Sequence, residues 1–319
     1  MLSVKEAKQL LAQHISRTTV VELLLQDALN LVLADDVKSN IHVPPFDNSA
    51  MDGYAFQYQP KKSHFKITQN IQAGDYSKKD ITSEEAARIF TGAAIPKGCD
   101  TVIQQELCTI SDGNISFDIS KVKKGANIRL CGSQNNKGDL VVKAGTVIRP
   151  GVIGLLASVG ITTIPVFSRP SVAIIVTGNE LQENGSVLED GHIYNSNEPA
   201  LNAMLRSIDI NDISSSWVKD DKAWLNERVH TYLENNDILI LSGGISAGDY
   251  DFVRESLNHA GVEELFYKVK QKPGKPLLIG KKKNKLIFAL PGNPAAVISC
   301  FYQYVKPSIL AMIGFENTF

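Results

Sequence analysis

Residues 238–251 read Ile-Leu-Ile-Leu-Ser-Gly-Gly-Ile-Ser-Ala-Gly-Asp-Tyr-Asp, and this stretch decides the fold of the second half of the chain. The apolar run Ile238–Leu241 has the composition of a strand buried on both faces, as strands of parallel sheets are. Ser242-Gly243-Gly244 lets the backbone turn tightly, and a helix pattern follows over Phe252–His259. A strand that runs through a glycine loop into a helix builds an anion site from the N–H groups at the helix start. The acidic pair Asp249 and Asp251 beside such a loop calls for a divalent cation between carboxylate and phosphate.

Working outward, the same alternation of strand and helix fills residues 168–319. Val172–Thr177 reads as a buried strand, with helices around Pro199–Ile208 and Ala223–Glu234. A strand is expected at Leu265–Lys270, and Lys281–Lys285 forms a charged hairpin tip between Leu277–Ile279 and Leu286–Leu290. A closing helix spans Ala295–Val305, with Pro307 marking its break. This is an α/β domain with a parallel or mixed sheet covered on both faces, whose ligands bind outside the carboxyl ends of the strands. Two further passages fall at those ends. Lys272-Pro273-Gly274-Lys275-Pro276 is a stiff loop presenting two ammonium groups, suited to a phosphate or oxyanion. Leu290-Pro291-Gly292-Asn293-Pro294 offers Asn293 as an N-cap and Pro294 as a first helical residue. Glu180, in Thr177-Gly178-Asn179-Glu180-Leu181, shares that edge with Asp220, and Glu180, Asp220 and Asp251 are candidate Mg²⁺ ligands.

Before Arg169-Pro170 the texture differs. Apolar positions at helical spacing predict helices over Val4–Ile15 and Val20–Leu33. Short β-like runs and glycine turns follow, including a hairpin with Leu107–Ile110 and Ile115–Ile119 around Asp112-Gly113-Asn114. Residues 139–166 read as further strand and a short apolar helix at Val152–Val159. The passages Pro44–Ala55 and Arg88–Pro96 are richer in apolar and turn residues than fold-building alone requires.

Composition narrows the classes. The chain has 319 residues, 43% hydrophobic and 21% charged, with a net charge of -1, which argues against phosphate-backbone binding and so against a nucleic-acid partner. No run of about 20 apolar residues and no signal peptide is visible, so no membrane partner is expected and a cytoplasmic location is. Four cysteines without paired spacing read as structural thiols.

The strings from Asp47 to Ala55, Phe90 to Pro96, Thr177 to Leu181, Ser242 to Asp251, Lys272 to Pro276 and Pro291 to Pro294 resemble, in order, the molybdopterin molybdenumtransferase family, of the MoeA and gephyrin E-domain type. The resemblance implies a multidomain α/β and β protein. Its molybdopterin-binding α/β domain (168–319) is of the MogA-like kind. A β-rich domain (46–133) is inserted in an N-terminal helical and β linker domain (1–45 plus 134–167), and the family's C-terminal β domain is expected to be absent. It also implies a homodimer whose active site is shared between subunits, and an upstream molybdopterin adenylyltransferase as partner. The implied reaction inserts molybdate into adenylylated molybdopterin with Mg²⁺, cleaves the pyrophosphate, and releases AMP and the molybdenum cofactor. A catalytically weak binding or scaffolding relative is the alternative. Asp52, Thr91, Glu180, Asp220 and Asp251 then take catalytic roles. Gly243, Gly244, Ser246, Lys272, Lys275 and Pro291, Gly292, Asn293 and Pro294 bind substrate. The family pattern is broken where Ser133 and Gln134 follow Gly132 in place of acidic residues, and where Asn179 replaces an aspartate.

Overall fold

A computed structural model describes the chain apart from residues 78, 219–220 and 246–251. The described residues form two compact units, residues 1–35, 144–150 and 163–319 in one and residues 36–143 and 151–162 in the other.

The first unit is built on a six-stranded mixed sheet in the order Ile213–Val218, Val172–Thr177, Ile238–Ser242, Lys285–Leu290, Leu278–Lys282, Glu263–Tyr267. The first four strands and the last run the same way, and Leu278–Lys282 alone runs against them, antiparallel to both its neighbours. Alternation within the strands sends side chains to two cores, as a pleated strand must. Ile174 and Val176 pack with Leu201 and Leu205 of helix Asn197–Arg206, and with Phe301 and Tyr304. Ala173 and Ile175 pack with Leu225 and Val229 of helix Lys222–Asn235 and with Leu257 of helix Phe252–His259. Helices therefore cover both faces, as the strand–helix alternation implies.

Two local expectations fail in this unit. Val4–Ala12 is helical, held by a capping box between Ser3 and Glu6, but Val20–Leu24 is a strand paired antiparallel with Thr163–Phe167. The run Val20-Val21-Glu22-Leu23-Leu24 fits either period. Its β-branched start and the ladder of a partner far along the chain settle the choice. Pro307 does not end the last helical segment either. Helix Pro294–Cys300 passes into a π-helical stretch, Phe301–Val305, and then into helix Lys306–Met312, where the proline occupies the first turn and needs no N–H partner.

The second unit carries a six-stranded sheet in the order Thr101–Gln104, Gly53–Phe56, Glu85–Ile89, His64–Ile71, Asn114–Phe117, Cys108–Ser111. Cys108–Ser111 and Asn114–Phe117 pair across Asp112-Gly113, both at positive φ, which is the two-residue hairpin that the Asp-Gly signal announces. One face is held by Phe56, Phe65 and Phe117, whose ring centroids lie 4.8, 5.0 and 6.0 Å apart. Phe56 is wholly buried and sits at the end of the short strand that begins at Gly53. Phe56→Ala is expected to destabilise this unit by about 3–5 kcal/mol, through lost burial and the cavity left behind. An earlier urea transition that follows the β-rich unit would show it.

Candidate functional site

Parallel register brings four strand ends together. Thr177 lies opposite Val218, Val176 opposite Ser242, and Ser242 opposite Leu290. The neighbours of Val172–Thr177 follow it in the chain on opposite sides, so the sheet reverses direction there, and ligands of open α/β sheets bind at such a switch point. A cavity of about 340 Å³ opens at this place, lined by Thr177, Gly178, Glu180, Gly243, Gly244, Ile245, Pro276, Pro291 and Gly292.

The glycines are dictated by space. Gly243 has φ +96°, and a β carbon there would lie 2.3 Å from the Thr177 carbonyl oxygen. Its N–H donates to the Leu290 carbonyl at 3.2 Å, which ties the glycine loop to the third passage. A β carbon on Gly244 would meet Val253 and the Thr177 hydroxyl at 2.8 and 2.9 Å. Beneath these turns, Asn197 donates to Ser242 Oγ at 3.0 Å and to the Gly292 carbonyl at 2.7 Å, lacing two strand-end loops to the start of a helix. Asn197 Oδ1 and Thr177 Oγ1 are buried without a hydrogen-bond partner among the described residues. An unpaired buried polar atom is costly, and the Thr177 hydroxyl is such an atom in a residue that lines the cavity.

The residues singled out from the sequence distribute as follows. Gly243, Gly244, Glu180, Pro291 and Gly292 line the cavity. Asn293 accepts from Ala296 N at 3.2 Å and caps helix Pro294–Cys300, with Pro294 its first residue, so these two shape the loop and lie off the lining. Lys272 and Lys275 are exposed, and only Pro276 of their loop lines the cavity. Asp220, Asp251 and Ser246 lie outside the described residues. Glu180 is an exposed carboxylate, and no cluster of three or more metal-binding side chains occurs among the described residues. Asn179 is exposed beside it.

Asp52 and Thr91 stand together in the other unit. The Thr91 backbone N–H donates to Asp52 Oδ1 at 2.8 Å and the Thr91 hydroxyl to the same oxygen at 2.7 Å. These bonds, with a smaller contribution from the Arg88 charge, hold the Asp52 carboxyl below the ordinary aspartate range. Gly53 follows because a β carbon there would lie 1.9 Å from the Ile103 carbonyl oxygen, so only glycine permits the pairing with Thr101–Gln104. Ser133 and Gln134, where the family carries acids, are exposed in the same unit, and Gln134 N donates to the Val43 carbonyl at 2.9 Å.

Three bracing positions escape sequence reading. Asn197 looks like an ordinary helix-start residue. Arg88 stacks between the rings of Tyr54 and Phe90 at 5.1 and 4.6 Å and donates to the Gly53 carbonyl at 2.9 Å, which braces the residue next to Asp52. Gln271 stands just before the lysine loop. Its amide donates to the Gly274 carbonyl at 2.9 Å and to Cys300 Sγ at 3.3 Å, and its oxygen accepts from the buried Tyr304 hydroxyl at 2.7 Å. Burial pushes Cys300 and Tyr304 each up to about 12, so both remain neutral partners. The only sequence signal for Gln271 is a polar residue adjoining an apolar strand.

Residues 2–160 match the family model described as the MoeA N-terminal region, domains I and II, and residues 173–311 match a probable molybdopterin binding domain. A molybdopterin molybdenumtransferase of Staphylococcus aureus strain Mu50 is 36% identical over 100% of this chain and 77% of its own length. One from Haemophilus influenzae is 36% identical over 98% and 78%. The crystal structure of a molybdopterin biosynthesis MoeA protein from Pyrococcus horikoshii superposes with a TM-score of 0.85 at 29% identity, covering 99% of this chain and 81% of that one.

Two outcomes follow from the geometry. Gly243→Ala is expected to lower stability by about 2 kcal/mol or more, because it adds a clash to an unfavourable φ; calorimetric melting reads this directly. Thr91→Val removes the hydroxyl donor and is expected to raise the Asp52 pKa toward its ordinary value. The interaction that lowers Asp52 contributes stability above the ordinary aspartate pKa and loses it as pH falls through the depressed one. A carboxyl-carbon NMR titration of both proteins measures the shift, and an unmoved Asp52 would refute the assignment.

Proposed function

The chain belongs to the molybdopterin molybdenumtransferase family, and on that premise we propose that it inserts molybdate into adenylylated molybdopterin. The pyrophosphate link is cleaved, and AMP and the molybdenum cofactor are released. The observation that carries this reading is the glycine-walled cavity at the switch point of the sheet, lined also by Thr177, whose buried hydroxyl is unpaired. Phosphate oxygens need donors that approach closely, and bare glycine backbone allows it. Lys272 and Lys275 supply cationic charge for molybdate or phosphate from a loop braced by Gln271. Gly243, Gly244 and Ser246 cradle the phosphate end, and Pro291 to Pro294 shape the opposite wall.

Mg²⁺ fits the donor chemistry in part. Glu180 offers a carboxylate at the cavity, and Mg²⁺ is commonly held by one or two carboxylates together with substrate phosphates. Asp220 and Asp251 are the further ligands proposed. When bound, the ion neutralises charge that develops on the phosphate oxygens.

Asp52 is assigned to catalysis, held anionic by Thr91. The proposal includes a homodimer in which Asp52 is supplied by one subunit to the substrate of the other, over three domains bounded near residues 46, 134 and 168. It also includes a cytoplasmic location and an adenylyltransferase upstream. No helix among the described residues is long and apolar enough to cross a membrane.

The test incubates the full chain with adenylylated molybdopterin, molybdate and Mg²⁺ and follows AMP release and cofactor formation. Wild type is expected to form both, and Asp52→Asn to lose about 10²-fold or more in rate. Binding of the pterin without AMP release at any Mg²⁺ concentration would reduce the protein to a binding relative. Mixing Asp52→Asn with Lys275→Ala protein is expected to restore part of the rate if the site is shared between subunits.

A further inference from the structure

A second cavity, of about 860 Å³, opens along the edge strand Ile213–Val218. Ser215 and Trp217 point from that strand toward helix Asn197–Arg206, and the cavity is lined by these two with Asn195, Glu198, Asn202 and Arg206. One amide group of Asn202 donates to Ser215 Oγ at 3.1 Å and to the Glu198 carbonyl at 3.0 Å. That leaves its own oxygen to accept and the Ser215 hydroxyl to donate. Arg206 is exposed at the cavity's edge. The Trp217 indole N–H donates to the Gly178 carbonyl at 3.4 Å, and Gly178 is a wall of the smaller cavity. The two cavities are therefore neighbours, joined at Trp217 and Gly178.

The lining restricts the ligand class. An aliphatic occupant would leave the Asn202 amide oxygen, the Ser215 hydroxyl proton and the Arg206 guanidinium facing no polar group, a desolvation cost with no return. A phosphate would face the Glu198 carboxylate. A flat nitrogen heterocycle offers a π face to the indole and an edge of alternating ring acceptors and amino donors to the polar floor. We infer that this cavity seats the bicyclic ring of the substrate, purine or pterin, on Trp217, while the attached phosphates lie in the glycine-walled cavity. The inference rests on the reading that the substrate carries both rings and phosphate.

The chain has two tryptophans, and Trp224 is 47% exposed and does not line this cavity, so Trp224→Phe leaves Trp217 as the single reporter. AMP and 6-hydroxymethylpterin are titrated into that protein, and into wild type, Trp217→Ala and Trp217→Phe by calorimetry. Saturable quenching by AMP alone assigns the adenine ring to the cavity, and by the pterin alone the pterin ring. Either result supports the proposal. Trp217→Ala is expected to weaken the binding ring by about tenfold or more and Trp217→Phe by no more than about threefold, with pyrophosphate binding the same to all. Absence of quenching by both probes, or equal ring affinity for wild type and Trp217→Ala, overturns it. An unchanged KM for cofactor formation in Trp217→Ala sinks this subsite and leaves the transferase reading intact. Ring binding through Trp217 in a chain that releases no AMP does the reverse.

Discussion

Gly243 has no room for a β carbon, and much of the α/β unit is arranged around that fact. The parallel register sets Ser242 opposite Val176, one residue before Thr177 on the adjacent strand. The chain leaving Ser242 must therefore pass close beside the Thr177 carbonyl. Only a residue without a side chain passes there at φ +96°. The same closeness leaves backbone and a threonine hydroxyl, in place of side-chain bulk, as the wall of the cavity. Asn197 then secures the arrangement from below, since one amide group holds both Ser242 and the Gly292 carbonyl. Phosphate-sized space at the strand ends follows from how the sheet is assembled.

The β-rich unit uses a comparable constraint for another end. Gly53 permits a close approach to Ile103, so the strand Gly53–Phe56 is gripped between two antiparallel neighbours. Its first residue fixes the direction from which Asp52 leaves the sheet. Arg88, clasped between Tyr54 and Phe90, bonds the Gly53 carbonyl, and the Thr91 loop bonds the Asp52 carboxylate. The carboxylate is thus positioned by backbone and hydroxyl donors that favour its ionised form, the arrangement expected of a group that acts through negative charge.

What was legible in the sequence was local and strongly patterned. Ile238–Leu241 and Val172–Thr177 are runs that only a doubly covered strand accommodates, and Asp112-Gly113 names its own turn. The glycine and proline motifs marked the strand ends because close approach and tight turning leave few residue choices. Val20–Leu24 was illegible because its partner, Thr163–Phe167, lies far along the chain, and a short apolar run carries both periods. Pro307 misled because a proline signals a break only when its missing N–H was needed, and after a π-helical turn it begins a new segment. Asn197, Arg88 and Gln271 were invisible for another reason. Each acts through partners from distant segments, and nothing in the flanking residues encodes them.

Gln271 shows how a surface lysine loop is given a defined shape by the core. A loop of alternating lysine and proline has no apolar residue with which to anchor itself. The structure anchors it by one amide that reaches inward to Cys300 and Tyr304, both on the closing helical run. Gly274 is required at the contact, since a β carbon would lie 2.5 Å from the Gln271 amide nitrogen and 2.7 Å from the Cys300 sulfur. A π-helical turn at Phe301–Val305 places Tyr304 within this group while keeping the tyrosine ring in the apolar core. Because Tyr304 and Cys300 resist ionisation, the bracket keeps its hydrogen bonds throughout the physiological pH range. The charge of Lys272 and Lys275 stays at the surface, and the shape of their loop is fixed from beneath.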